Sequence, residues 1–108
     1  MKSLISNLHK FTKDRHWQSY HSPKNLSMAL IVECAELLEL FQWMTNDESW
    51  NINPEILDKL KDEIGDVQIY LTMLANKFNL NPIDEAKNKL KKNEIKYPVD
   101  KNLFNKFS

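Results

Sequence analysis

Glu33 and Glu36 stand three residues apart in LSMALIVECAELLELFQWM (Leu26–Met44). Glu63 and Asp66 stand three apart in DEIGDVQIYLTML. On a helix, that spacing puts both members of a pair on one face. If the two helices pack antiparallel, four carboxylates converge. Neither stretch carries a Lys or Arg. Four negative charges without a protein counter-ion call for a divalent cation, and hard oxygen ligands favour Mg²⁺, or Mn²⁺ in its place. Glu39 extends the first motif by another step of three; a solvated or salt-bridged helix position describes it better than a direct ligand.

The elements that must position these groups are helices. Leu26, Leu30, Leu37, Leu40 and Met44 form a stripe stepping by four and three, and Glu33 occupies a place on it where another Leu would be expected. The other side, Ile31, Cys34, Leu38 and Phe41, is apolar too. A helix apolar nearly all round is expected to be buried, which carries at least one carboxylate inward. There it must be paired, hydrated or bound to a cation. Leu60, Ile64, Val67, Leu71, Leu74 and Phe78 form a second such stripe, with Tyr70 one turn beyond Asp66.

The full pattern predicts an all-α chain resembling a four-helix bundle, with helices over about 3–17, 25–44, 54–78 and 82–95. Leu4, Leu8, Phe11 and Arg15 mark the first, and Ser22-Pro23 ends it. Ser22 or Asn25 caps the second, Asn53 the third and Asn81 the fourth, each cap but Asn25 followed by a Pro admissible in a first helical turn. Thr45–Asn53 is read as a polar loop, with Trp50 in packing or an interface. Gly65, the only glycine, costs the third helix about 1 kcal/mol against Ala. Either close approach of the second helix offsets that cost, or the position merely tolerates it. The tail from Tyr97, with Phe104 and Phe107, has no regular pattern.

Composition sets the bounds. One domain is expected of 108 residues, 42% hydrophobic and 28% charged. A formal net charge of zero gives no overall attraction to nucleic acid or an anionic membrane, and no nucleic-acid recognition motif is present. Cys34 is the single cysteine, so no internal disulfide can form. It fits a reducing cytoplasm and is read as a small buried hydrophobe rather than a reactive thiol. No apolar run approaches the ~18 residues of a membrane span, and residues 1–17 lack a signal peptide's apolar region.

The paired ExxE (Glu33, Glu36) and ExxD (Glu63, Asp66), separated by twenty-six residues, resemble the signature of the MazG-like all-α nucleoside triphosphate pyrophosphohydrolases. The resemblance runs from about Phe11 to Pro98. It is strongest to the dCTP-pyrophosphatase branch, on Phe11, Arg15, Trp17, Tyr20, His21, Pro23, Asn25, Leu26, the runs Glu36–Trp43 and Asp66–Leu71, Lys89, Asn93 and Tyr97–Pro98. It implies hydrolysis of a nucleoside triphosphate, dCTP or a modified relative, to monophosphate and pyrophosphate, as nucleotide-pool housekeeping. It implies metal binding by Glu33, Glu36, Glu63 and Asp66, with Glu36 and Glu63 catalytic and Glu36 the first choice to take the water's proton.

The resemblance also implies substrate contacts from Trp17, His21, Trp43, Tyr70, Lys89 and Asn93. Without it, Trp17 is a core anchor, His21 a satisfied loop histidine, Trp43 a helix-end core residue and the Lys-rich end of the last helix ordinary dipole chemistry. It further implies a homo-oligomer, a dimer or tetramer, and a chain this short with two apolar helix faces independently points to association. Two rivals stand beside it. An iron-carboxylate bundle needs Glu-x-x-His on two helices, and neither motif here holds a His. A non-catalytic interaction module would keep the fold and lack turnover.

Overall fold

A computed structural model of the chain describes residues 1–99. All regular structure among them is helical, as the periodicity predicts: α1 (Lys2–Asp14), a single 3-10 turn (Gln18–Tyr20), α2 (Pro23–Glu39), α3 (Asn46–Trp50), α4 (Pro54–Asn76) and α5 (Pro82–Lys96). The expectations for Phe104 and Phe107 lie outside the described residues.

Each start is set by a local cap. The Ser22 hydroxyl accepts from the Asn25 amide at 3.1 Å, and Pro23 opens α2. Asn53 Oδ1 accepts from the Ile56 amide at 2.8 Å ahead of Pro54, and Asn81 Oδ1 accepts from Ile83 at 2.9 Å ahead of Pro82. Two ends are set by left-handed residues, His16 at φ 56° beyond α1 and Asn79 at φ 57° beyond α4. Asn is among the few non-glycine residues that adopt this conformation readily.

The boundaries differ from expectation at two places. The first helix stops at Asp14, three residues short of Trp17, because the chain turns at Arg15–His16. The second stops at Glu39 rather than Met44. Beyond it, three-residue backbone bonds (Phe41 N to Leu38 O, 2.9 Å; Met44 N to Phe41 O, 2.9 Å) tighten the chain into turns. Thr45 and Glu48 form a reciprocal capping box that begins α3 inside the stretch read as a loop.

The core is the pairing of α2 with α4. His21, just before α2, borders the same cavity as Asn76 and Lys77 at the end of α4. Met44, after α2, shares a cleft with Ile56 at the start of α4. The two helices therefore run antiparallel. Leu26 is fully buried between them, and Leu30, Leu37, Leu40 and Met44 are half-buried, so the predicted stripe faces inward. α1 packs across the C-terminal half of α4, and α5 makes a smaller contact with α4.

The other side of α2 is not buried within the chain. Ile31 (67% exposed), Val32, Cys34 and Leu38 face outward, contrary to the sequence reading. Ile64 and Leu71 on α4, and Phe78 just beyond it, are also exposed, and the inward positions of α4 are taken by Leu60, Glu63, Asp66, Val67 and Thr72. The reason is that no helix among the described residues covers those faces. The accessible surface is 9080 Å², against about 6,300 Å² for a compact protein of this mass. The radius of gyration is 18.0 Å, against ~13 Å expected of a closed domain of this length. Gly65 is exposed, and a Cβ there would meet nothing within 4 Å, so close approach by α2 is not its reason.

Candidate metal centre

Antiparallel pairing brings the two acidic motifs together. Glu33, Glu36 and Glu63 each offer a carboxylate oxygen, and the three oxygens lie within 4.8 Å of one another. Oε2 of Glu33 and Oε2 of Glu63 are buried and meet no donor. No Lys or Arg pairs with any acid of the cluster among the described residues; the ion pairs there are surface contacts, such as Lys10–Asp14 at 2.9 Å.

The electrostatics record the crowding. Burial pushes the Glu33 carboxyl up to about 7, helped by the neighbouring carboxyls of Glu36, Asp66 and Glu63. Glu63 is raised too, by burial first and then by the charge of Glu36. Crowded carboxylates relieve their repulsion by taking up a proton. A proton or a cation is therefore what this arrangement accepts, and a hard divalent ion fits an all-oxygen set with two donorless buried oxygens. Asp66 lies close enough for its charge to act on Glu33 and Glu63, but outside the set of three. Glu39 is exposed at the end of α2, as its reading as a solvated position predicts.

Glu63, Asp66, Tyr70, Met73 and Lys77 step by three and four along α4 and its C-cap, hence along one face. Met73 and Lys77 border a cavity of about 190 Å³ between α1 and the end of α4, bordered also by Leu8, His9, Gln18, His21 and Asn76. Burial lowers the His21 pKa, and the charge of Lys77 lowers it further. Trp17 stands beside the cavity at 44% exposure, edge-on to Phe11 (5.5 Å) and to His21 (6.4 Å). Arg15 stacks 3.7 Å over Phe11 and donates to its carbonyl. The aromatic cluster thus leaves one side of the indole free.

The remaining expected contacts are not gathered here by this chain. Trp43 is 90% exposed on the turns after α2, so it is not a core residue. Trp50, at the end of α3, is 84% exposed. Lys89 is exposed on α5 and makes no ion pair among the described residues; Asn93 is half-buried. Sequence reading missed one polar pair of the cavity wall, His9 and Asn76, whose side chains meet at 3.0 Å across 67 positions. Nothing local in sequence links α1 to that end of α4.

The MazG-like family model matches residues 28–106. The dCTP pyrophosphatase 1 proteins of Mus musculus and Homo sapiens are each 37% identical over 100 residues, 88% of this chain and 58% of theirs. The chain thus spans little more than half the length of these relatives. The crystal structure of a pyrophosphatase from Archaeoglobus fulgidus superposes with a TM-score of 0.82 at 42% identity, covering 92% of this chain and 93% of that one. On the family match over most of its length and the antiparallel carboxylate pair at its core, the chain belongs to the MazG-like family.

Proposed function

We propose that this chain is a single-domain, Mg²⁺-dependent nucleoside triphosphate pyrophosphohydrolase that converts dCTP, or a modified dCTP, to the monophosphate and pyrophosphate. The observation that carries the reading is the cluster of Glu33, Glu36 and Glu63, with two buried oxygens that no protein donor reaches. The pyrophosphatase activity for which the relatives and the structural neighbour are named supports the reaction, and the dCTP in the relatives' name supports the base.

Glu33, Glu36, Glu63 and Asp66 would hold the ion. When bound, the cation supplies charge neutralisation between four carboxylates and an anionic triphosphate, and acidifies a nearby water. The protein's own part is to place an acceptor for that water's proton. Glu36 is the exposed member of the set, so it faces the side from which substrate arrives. Attack of the water oxygen on the α-phosphorus forms one P–O bond and breaks the bond to the β-phosphate, with pyrophosphate leaving and the water's proton passing to Glu36 or Glu63. Trp17 offers a base an aromatic face, which gives affinity more than selectivity. His21 and Tyr70 line the path between base and phosphates.

Trp43, Lys89 and Asn93 would act from a neighbouring subunit in a homodimer or tetramer. The uncovered faces of α2 and α4 and the excess accessible surface support association. No helix among the described residues is long and apolar enough to cross a membrane. A role in the cytoplasmic nucleotide pool, with no nucleic-acid or membrane partner, follows from the proposed substrate.

The test is a product assay over dNTPs, NTPs and 5-modified dCTPs, with Mg²⁺ and with EDTA. Monophosphate and pyrophosphate that appear only with metal are expected. Orthophosphate with diphosphate would mean cleavage at another bond. No turnover of any nucleotide would turn the assignment toward a non-catalytic binding module.

A further inference from the structure

α1 ends in a turn that the backbone itself closes. The His16 N–H donates to the Lys13 carbonyl at 3.1 Å and the Trp17 N–H to the Thr12 carbonyl at 2.9 Å, with His16 in the left-handed conformation (φ 56°). These two bonds close a helix C-terminus around a left-handed residue, and the residue that follows packs back on the last turn. Here that residue is Trp17, and it packs on Phe11 with ring centroids 5.5 Å apart. The Trp17 carbonyl accepts from the Tyr20 N–H at 2.9 Å, at the 3-10 turn. Both backbone polar groups of Trp17 are therefore held.

The side chain is held by a relay of contacts. Arg15 lays its guanidinium 3.7 Å over the Phe11 ring, and its Nη1 donates to the Phe11 carbonyl at 3.1 Å, so it grips one residue at two points. It is the only arginine in the chain, and it makes no ion pair among the described residues. Phe11 meets Trp17 at an interplanar angle of 75°, and Trp17 meets His21 at 73°. Neither ring lies flat on the indole, and Trp17 stays 44% exposed. A cation over an exposed ring adds little stability. The effect here is geometric. Arg15 restricts Phe11, and Phe11 with His21 restricts rotation of the indole. A side chain already ordered in the free protein loses less entropy when a ligand settles on it.

We propose that Phe11 and Arg15 are positioning residues for Trp17, holding its indole as a pre-ordered platform for the nucleotide base. They act through the indole and not on the substrate. This rests on the reading above in which the base stacks on Trp17.

The experiment compares Arg15→Ala, Phe11→Leu and Phe11→Tyr with the wild type and Trp17→Leu, with thermal melts of each. Arg15 and Phe11 are exposed, so these substitutions open no core cavity. For dCTP with Mg²⁺, KM is expected to rise about three- to ten-fold in Arg15→Ala and Phe11→Leu while kcat holds, the pattern of lost uniform binding. Phe11→Tyr keeps the ring and should restore the wild-type KM. A second readout needs no substrate. The indole N–H of Trp17, assigned by its absence from the spectrum of Trp17→Leu, should have a lower NMR order parameter in Arg15→Ala and Phe11→Leu than in the wild type and Phe11→Tyr. A stack that only stabilises α1 would lower the melting temperature and leave KM and indole order unmoved, which overturns the proposal. A raised KM with an indole as ordered as the wild type's overturns it too. The reading beneath fails separately. An unchanged KM in Trp17→Leu takes the base off Trp17, and no turnover by the wild type removes the reaction. Either brings this inference down, and both differ from an active enzyme in which Trp17→Leu alone raises KM.

Discussion

Glu33 of α2 and Glu63 of α4 each bury a carboxylate oxygen that no donor reaches, and their carboxylates approach within 4.8 Å. Two helices from distant parts of the chain are held together across a repulsive contact. The apolar stripe around it, with Leu26 at its centre, supplies the burial that opposes the repulsion. The site is thus poised to gain stability from a cation.

Glu63→Gln should break the centre while leaving the fold. Turnover is expected to fall by about a hundred-fold or more, since even outer-shell losses cost 10–100-fold. Circular dichroism should be unchanged. In EDTA the variant should melt above the wild type, because one repelling carboxylate is gone, and added Mg²⁺ should raise its melting temperature less than that of the wild type. Full activity in this variant would remove Glu63 from the site.

Metal-free stability should fall as pH rises. The Glu33 carboxyl is raised from 4.5 to about 7 in the folded chain, with Glu63 raised in the same direction. Between those values the folded state binds more protons than the unfolded state, so the slope of stability against pH is negative. The loss should run from about pH 4.5 to about pH 7 and then level off. Mg²⁺ competes with the same proton, so its affinity should climb over that range. Urea melts in EDTA and Mg²⁺ titrations at pH 6 and pH 8 check both signs.

Gly65→Ala should stabilise the protein by about 0.5–1 kcal/mol, the ordinary gain for replacing a mid-helix glycine where the new methyl is unopposed. Chemical denaturation measures it. A destabilised variant would mean that another subunit approaches the α4 backbone at this point.

Ile31→Glu should disperse the assembly. Ile31 is 67% exposed in the single chain, beside exposed Val32 and Leu38. If that face is an interface between copies, sedimentation should give a multimer for the wild type and the mass of one chain for the variant, with a lower melting temperature. An unaltered mass would move the interface elsewhere.

The helices and the chemistry of the site were legible in the sequence because both are local. A spacing of three puts Glu33 with Glu36 and Glu63 with Asp66, whatever the rest of the chain does. Ser22, Asn53 and Asn81 announce their helices through bonds within three residues. The box of Thr45 and Glu48 is equally local, and it begins α3 inside the stretch read as a polar loop.

Only the tertiary structure decided which faces meet. Periodicity marked Ile31 and Leu38 as apolar but could not say that no helix among the described residues covers them, because burial depends on a partner surface. It marked Glu33 as displaced from a Leu stripe but not which carboxylate of α4 it would meet; the pairing chose Glu63 and left Asp66 to one side. His9 and Asn76 had no mark in sequence at all. Their bond exists because α1 crosses the end of α4, a contact across 67 positions that no local pattern encodes.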